Sequence, residues 1–271
     1  MDPVARIYDD NSEYEWERLD RDPYHTLEFT VVMHHVRKYV PPGSDILDAG
    51  GGPGRYAIQL CRDGHRITLL DLSSGCIETA REKFAAEPES VRNRLSELMV
   101  GDVRNLSRFG PDRFDAALCL DPLSYVIKAA EREQAISELI RVTKPGGIVF
   151  IAVRGYLAVL RTILDRFSDD MLKPLFGTLV QSGDTDVGGV PCHFFRADEI
   201  RRQAECCGLK TIEMAGCEGL STGMIEATNR IGQDAEKRGR WTDLIVKTST
   251  EPAVVDMAEH MLYIGQTPGV D

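Results

Sequence analysis

The sequence lacks the features that would place it outside ordinary globular domains. No apolar stretch in its 271 residues approaches the length of a membrane span, and its first residues lack the basic start and apolar run of a secretory signal. The seven cysteines are odd in number, scattered, and include no C-x-x-C pair, so neither a disulfide framework nor a cysteine metal site is indicated. These absences predict a cytoplasmic protein that binds neither metal nor membrane.

Basic residues are also too few to favour a nucleic-acid partner. The chain carries 32 lysines and arginines against 43 acidic residues, a formal net charge of -11, which on average repels phosphate backbones. The densest basic segments are Arg201-Arg202 and the stretch from Lys237 to Arg240, and we expect both to be solvated helix faces. A small-molecule substrate and a monomeric or homodimeric state are therefore expected.

The order of apolar segments predicts an α/β fold. An N-terminal helical segment, residues 12–40, ends before Pro41, and short apolar runs then alternate with amphipathic helices as far as residue 153. This alternation predicts a doubly wound, mostly parallel sheet. The rhythm breaks over residues 155–195, which we interpret as an inserted cap over the carboxyl edge of the sheet, and further strands are predicted at 209–214 and 261–264. No flexible linker divides the chain, so one domain spans 1–271.

A glycine-rich turn follows the first strand in the segment Ile46 to Arg55, and its flanking residues discriminate among ligands. A P-loop needs a lysine and a serine or threonine after the glycines, but Arg55-Tyr56 stands there. A dinucleotide motif needs a third glycine where Arg55 stands, and Asp48 would repel a pyrophosphate. A carboxylate beside bare backbone suits a cation instead, and S-adenosylmethionine carries a sulfonium and an ammonium.

Acidic residues also end the next two strands. Asp71 lies about 20 residues after the turn, where a carboxylate accepts hydrogen bonds from ribose hydroxyls. Asp102 can accept a hydrogen bond from an exocyclic adenine amine. Dinucleotide proteins share the ribose contact, and each residue alone could be a turn former or helix cap.

Taken in order, four motifs resemble the class I S-adenosylmethionine-dependent methyltransferases. The motifs are Asp48-Ala49-Gly50-Gly51-Gly52, Asp71, Gly101-Asp102 and Lys144-Pro145-Gly146-Gly147, and the resemblance covers roughly residues 45–153. It implies a seven-stranded Rossmann-like sheet that ends in an antiparallel pair. It also implies that Gly50 and Gly52 lie under the methionine part of the cofactor, Asp71 on the ribose, and Asp102 and Val103 around the adenine. Leu72 and Leu120 complete the cofactor site that we expect.

The acceptor side is less clearly marked in the sequence. His193, at the end of the cap, and Tyr125, beyond the fourth strand, are our candidates for catalytic residues. The alternatives are that His193 is a satisfied core residue and that Tyr125 only packs. Arg18 is a candidate partner for the cofactor carboxylate, and Tyr14 or Trp16 for its sulfonium, unless the N-terminal segment merely docks on the sheet.

Three functions are compatible with these features. The first is methyl transfer from S-adenosylmethionine to a small molecule by in-line displacement. The others are a nicotinamide-linked oxidoreductase on a related fold, which the displaced third glycine disfavours, and a non-catalytic S-adenosylmethionine sensor whose cap recruits a partner.

Overall fold

A computed structural model of the chain describes residues 2–269. Its centre is a seven-stranded sheet in the order β3-β2-β1-β4-β5-β9-β8, and a separate hairpin pairs β6 with β7. The strands are β1 Asp45–Ala49, β2 Arg66–Asp71, β3 Leu95–Val100, β4 Phe114–Leu120, β5 Thr143–Arg154, β6 Asp184–Val187, β7 Val190–His193, β8 Lys210–Gly216 and β9 His260–Gln266. The first five strands run parallel, whereas β9 runs antiparallel to β5 and β8.

Helices cover both faces of the sheet. The α-helices are α1 Pro3–Asp10, α2 Ser12–Arg18, α3 His25–Tyr39, α4 Arg55–Arg62, α5 Ser74–Ala85, α6 Glu89–Arg92, α7 Ala129–Val142, α8 Tyr156–Arg166, α9 Pro174–Ser182, α10 Ala197–Cys206, α11 Ile225–Ile231, α12 Ala235–Thr248 and α13 Pro252–Met257. Short 3-10 helices span Pro122–Tyr125, Ser168–Leu172 and Gly219–Ser221. None of the helices described in 2–269 has the length and apolar character needed to cross a membrane.

The sheet separates two hydrophobic cores because neighbouring side chains of a strand point to opposite faces. Ile46 of β1 packs in the core that includes α3, α4 and α5, whereas Leu47 packs in the core that includes α7, α10 and α13. Burial on both faces explains the nearly continuous apolar runs of β4 and of residues 148–153 in β5.

The predicted fold class is confirmed, including the mostly parallel sheet and the antiparallel strands at its end. The N-terminal helical segment ends as predicted, with α3 closing at Tyr39, but it is three helices that begin at Pro3. Helix α11, between β8 and α12, was not predicted. The stretch from Lys237 to Arg240, which we expected on a solvated helix face, is exposed in α12.

The predicted cap, residues 155–195, contains α8, α9 and the β6-β7 hairpin. Its two ends are pinned together, because the Tyr156 backbone N–H donates to the Phe195 carbonyl at 2.8 Å and the Phe195 N–H donates to the Arg154 carbonyl at 2.8 Å. Gly155 lies at this junction, where a Cβ atom would stand 2.0 Å from the carbonyl oxygen of Ala258. The cap therefore leaves the sheet through a position that has no room for a side chain.

Replacing Gly155 with alanine tests this junction. We expect Gly155→Ala to lower the free energy of unfolding by about 1–3 kcal/mol, because the new methyl group meets backbone that cannot rotate away. Gly177→Ala in α9 is the matched control, since its Cβ would meet nothing within 4 Å, and a helical glycine replaced by alanine gains up to about 1 kcal/mol. Urea unfolding measures both, and equal stabilities of the two variants would contradict the close contact at Gly155.

Candidate functional site

A cavity of about 640 Å³ lies at the carboxyl edge of the parallel strands, where loops of an open α/β sheet form ligand sites. Residues from the β1 turn, the ends of β2, β4 and β5, the N-terminal helices and the cap all line it. The cap and the N-terminal segment thus enclose the same space from two sides.

The glycine turn gives this cavity a floor of bare backbone. Gly50 and Gly52 adopt φ values of +81° and +54°, in the region that side chains disfavour. The Gly50 N–H donates to the carbonyl of Leu70 at 2.6 Å, which ties the turn to the end of β2. A Cβ on Gly50 would stand 2.1 Å from Cγ of Pro122, so the close approach of the β4 loop requires glycine there.

Asp48 lies beneath this floor with no exposed surface. Among residues 2–269, neither of its carboxylate oxygens has a hydrogen-bond partner. Burial, with a smaller contribution from the charge of Asp71, raises the pKa of Asp48 to about 7. The ionised form therefore lacks a compensating donor or cation, and a positively charged ligand in the cavity would supply one.

Asp71 is held in place at the end of β2. Its carboxylate accepts the Gly52 N–H at 2.8 Å through one oxygen and the Ser73 N–H at 2.8 Å through the other. Each oxygen keeps a further lone pair for a ligand hydroxyl. Asp71 is thus oriented by the turn on one side and by the start of α5 on the other.

The N-terminal segment closes over this part of the cavity through Asp9. The Asp9 carboxylate accepts the hydroxyl of Ser73 at 2.6 Å and the Gly75 N–H at 2.7 Å, at the beginning of α5. A Cβ on Gly75 would stand 2.8 Å from Cα of Asp9, so the approach of α1 to α5 depends on this glycine.

Asp102 also lines the cavity, but its carboxylate is bonded to Arg104. The Nε atom of Arg104 lies 2.9 Å from Oδ2 of Asp102, and its Nη1 atom lies 2.7 Å from Glu131. The Arg104 guanidinium helps to hold the pKa of Asp102 below its usual range against the opposing effect of burial. A contact to an adenine amine would use lone pairs that Arg104 leaves free.

Ionic and phenolic side chains form a polar wall on the other side of the turn. We define the polar wall by seven residues that line the cavity: Tyr8, Arg18, Glu28, Tyr125, Arg154, Glu218 and His260. Arg154, the last residue of β5, donates from Nε to Asp121 at 2.9 Å and from Nη2 to the Tyr125 hydroxyl. The hydroxyl of Tyr125 lies 2.7 Å from that of Tyr8, so α1 contributes directly to the wall.

Two buried carboxylates of the polar wall flank an imidazole. Nδ1 of His260 lies 2.6 Å from Oε1 of Glu218 and 3.5 Å from Oε2 of Glu28. Arg18 donates to Glu28 at 2.6 Å. Glu28, Glu218 and His260 are close enough to share a metal ion. Arg18 and a protonated His260 already compensate the charges of the two carboxylates, so the arrangement is that of paired ions.

Apolar side chains of the cap face the same cavity. They come from α8 and the residues around the β6-β7 hairpin: Ala158, Val159, Ile163, Phe167, Val187 and Phe194. A ligand beyond the glycine turn therefore meets charged and phenolic groups on the sheet side and hydrocarbon on the cap side.

Most of the predicted site residues meet in this cavity. The lining includes the predicted residues Tyr14, Arg18, Asp48, Gly50, Gly52, Asp71, Leu72, Asp102, Val103, Leu120 and Tyr125. The two that come from α2 are bonded to other side chains of the N-terminal segment: Arg18 to Glu15 and Glu28, and the Tyr14 hydroxyl, as acceptor, to Arg21 at 2.8 Å. Their predicted contacts with the cofactor would have to compete with these bonds.

His193 is not brought to the cavity. Its Nδ1 atom lies 2.6 Å from Asp184 and its Nε2 atom 2.8 Å from Glu199, and its side chain is 4% exposed. Both ring nitrogens are therefore occupied, and His193 joins the hairpin to α10. The structure corrects the expectation that His193 is a catalytic base, and the alternative of a satisfied buried histidine describes its surroundings.

Five residues of the polar wall were not predicted from the sequence: Tyr8, Glu28, Arg154, Glu218 and His260. Two of them carried a usable signal. Arg154 ends a parallel strand, and His260 begins an antiparallel one, so both must lie at the carboxyl edge of the sheet. The other three depend on helix and loop packing, which no local pattern records.

Comparisons with known proteins agree with this geometry. A family model described as a methyltransferase domain matches residues 46–147. A malonyl-[acyl-carrier protein] O-methyltransferase of Serratia marcescens is 32% identical over 112 residues, which cover 41% of this chain and 38% of that relative. A ubiquinone biosynthesis O-methyltransferase of Nitrosospira multiformis is 25% identical over 239 residues, which cover 85% of each chain.

A solved structure extends the likeness to the whole fold. The crystal structure of an S-adenosylmethionine-dependent methyltransferase from Methanosarcina mazei matches with a TM-score of 0.61 and 20% identity, over 87% of this chain and 98% of that one. At this identity the likeness shows a common fold and leaves the choice of substrate open.

The unpartnered carboxylate predicts a stability effect whose sign depends on pH. Because the pKa of Asp48 is about 7 in the folded protein and about 3.9 in the unfolded chain, the folded state binds the extra proton and loses stability as pH rises between these values. We expect Asp48→Asn to be more stable than the natural protein by about 1–3 kcal/mol at pH 8, and by much less at pH 5.

Urea unfolding of the ligand-free protein at the two pH values measures this difference. Asp115→Asn is the matched control, because Asp115 is partly exposed and paired with Lys144 at 2.6 Å, so its loss should not stabilise the protein. An Asp48→Asn variant that is less stable at both pH values would contradict the absence of a partner for Asp48.

Proposed function

The chain belongs to the class I S-adenosylmethionine-dependent methyltransferases, and we propose that it methylates an oxygen atom of a small-molecule acceptor. The acceptor would lie between the polar wall and the cap. The observation that carries this proposal is the continuity of the cavity: the glycine turn with Asp48 and Asp71 opens into the space that the polar wall and the cap enclose.

The residues around the glycine turn fit S-adenosylmethionine. Asp48 offers two carboxylate oxygens beneath the turn that no described residue engages in a hydrogen bond, in keeping with a ligand of positive charge. Asp71 keeps lone pairs for ribose hydroxyls, and Leu72 and Val103 provide apolar surface for an adenine. When bound, the cofactor supplies a methyl group on a sulfonium, which is already activated toward a nucleophile.

Three considerations support an oxygen acceptor of small size. Both relatives named above are O-methyltransferases. The space beyond the glycine turn is enclosed by α1 and the cap, which favours a compact acceptor over a polymer. The negative net charge also disfavours nucleic acid.

Tyr125 has a positioning role in this proposal. Burial raises the pKa of Tyr125 well above its ordinary value, so the phenol stays protonated at neutral pH and does not act as a base. Its hydroxyl, held between Tyr8 and Arg154, fixes the Arg154 guanidinium at the end of β5. The protein's contribution is to orient the acceptor and exclude water, which alignment of the reacting atoms requires.

Transfer of a labelled methyl group tests the proposal. The protein is incubated with a metabolite extract and S-adenosylmethionine labelled in its methyl group, and we expect the label in small molecules as an ether or an ester. Asp71→Ala should lower the rate at limiting cofactor by roughly 10- to 100-fold, because the Asp71 carboxylate would lose its bonds to the ribose. Asp243→Ala, an exposed carboxylate on α12, is the matched control and should match the natural protein.

Three outcomes would contradict the proposal. Label in the macromolecular fraction would point to a polymer acceptor. Cofactor binding without any transfer would favour the sensor, and calorimetric binding of a nicotinamide dinucleotide in place of S-adenosylmethionine would favour the oxidoreductase.

A further inference from the structure

We propose that His260 binds the acceptor oxygen as an anion, a carboxylate or an acidic phenolate, through a hydrogen bond from its imidazolium Nε2. This inference rests on the proposed function and deepens it by naming the class of acceptor.

The sheet places His260 beside Arg154. Arg154 is the last residue of β5, His260 is the first of β9, and the two are register partners in the antiparallel pairing. Both line the cavity at the edge where the β4 loop contributes Asp121. Two cationic side chains thus stand together, one strand apart, at the acceptor end of the cavity.

Glu218 fixes the orientation of the His260 ring. Oε1 of Glu218 accepts a hydrogen bond from Nδ1 of the ring at 2.6 Å, and Oε2 accepts one from the backbone N–H of the same histidine at 3.0 Å. Among residues 2–269, no hydrogen bond is made by Nε2, on the opposite edge of the ring. A ring that lines the cavity therefore keeps one nitrogen for a ligand.

The charges around His260 decide its protonation. Burial disfavours the charged ring, but Glu28 and Glu218, followed by Glu259, outweigh it and raise the pKa of His260 to about 10. The cations that face the same cluster are Arg18, bonded to Glu28, and Arg154, bonded to Asp121. At neutral pH the ring is an imidazolium, which donates a hydrogen bond and cannot remove a proton from a neutral hydroxyl.

The carboxylates near His260 are already engaged by protein donors. Glu28 is bonded to Arg18, Glu218 to His260 itself, and Glu259 to the Tyr24 hydroxyl at 2.6 Å. On His260, which lines the cavity, Nε2 remains as a charged donor. An anionic oxygen satisfies this donor with a charge-assisted hydrogen bond, and the apolar residues of the cap, such as Val159 and Ile163, receive the body of the acceptor.

The chemistry balances without a base. An anionic acceptor oxygen uses a lone pair to form the O–C bond, while the S–C bond breaks and its electron pair stays on sulfur. The negative charge of the acceptor and the positive charge of the sulfonium cancel, and no proton is released. A carboxylate gives a methyl ester and a phenolate gives a methyl ether.

Binding of three aromatic probes tests the inference. The probes are benzoate, para-nitrophenolate and benzyl alcohol, which present a carboxylate, a phenolate and a neutral hydroxyl on one ring size. Calorimetry with the full chain saturated with S-adenosylhomocysteine should show at least one of the two anions binding roughly 10-fold or more tightly than the alcohol, since a hydrogen bond to a charged group is lost with the alcohol. The stronger anion identifies the acceptor as an acid or a phenol.

Three variants test whether the positive charge of residue 260 causes the preference for the anion. His260→Gln should abolish the preference for the anion, whereas His260→Lys, which keeps a cation, should retain most of it. His193→Gln, in a buried histidine with two carboxylate partners but outside the cavity, should leave it unchanged. Unaltered binding of S-adenosylhomocysteine shows that each variant is folded.

A pH series gives a second readout. Binding of benzoate should be constant between pH 6 and 9 and weaken as pH rises through the pKa of His260, about 10. Glu218→Gln should move that loss to lower pH, because it removes one of the charges that raise this pKa. Three results would overturn the inference. They are an affinity for benzoate that rises with pH, a preference for the anion over benzyl alcohol that His260→Gln leaves intact, and a preference for the anion that appears only with added Mg²⁺. Each of these results leaves cofactor binding and methyl transfer, and hence the proposed function, to be judged separately.

Discussion

A buried carboxylate that has no hydrogen-bond partner in the described part of the chain is the feature on which the rest of the site depends. Asp48 is the last residue but one of β1, in the middle of the sheet, where burial disfavours its charge. Gly51 must lack a side chain, because its Cβ would stand 2.6 Å from the Asp48 carboxylate. The glycines of the turn and the carboxylate beneath it therefore act together. The charge of Asp48 is unfavourable where it is buried, and a cationic ligand above the turn would stabilise it.

The direction of β9 shapes the end of the cavity where we propose that the acceptor binds. Parallel strands bring only their carboxyl ends to the edge of the sheet, whereas β9 runs the other way and brings its first residue there. His260 and its Glu218 partner thereby join residues contributed by β5, the β4 loop and the N-terminal helices. The cofactor half is built from short segments that follow β1 and β2, and the acceptor half from elements far apart in the chain.

This division explains what could be predicted from the sequence. The alternation of strands and helices, the glycine turn, and the positions of Asp71 and Asp102 follow from local patterns, and the structure places all of these residues around one cavity. The polar wall requires knowledge of where β9 inserts and how α1 docks through Asp9, which local patterns do not contain. His193 shows the same limit: its two partners, Asp184 and Glu199, satisfy the ring only once the hairpin and α10 have packed.

Proton exchange on cofactor binding tests the role of Asp48 most directly. Calorimetric titration with S-adenosylmethionine near pH 7, in buffers of different ionisation enthalpy, should show proton release, because the bound cation lowers the pKa of Asp48 from about 7. S-adenosylhomocysteine, whose sulfur is neutral, should release fewer protons. Proton uptake with S-adenosylmethionine, or equal proton release with both ligands, would contradict the claim that a cationic ligand stabilises the ionised form of Asp48.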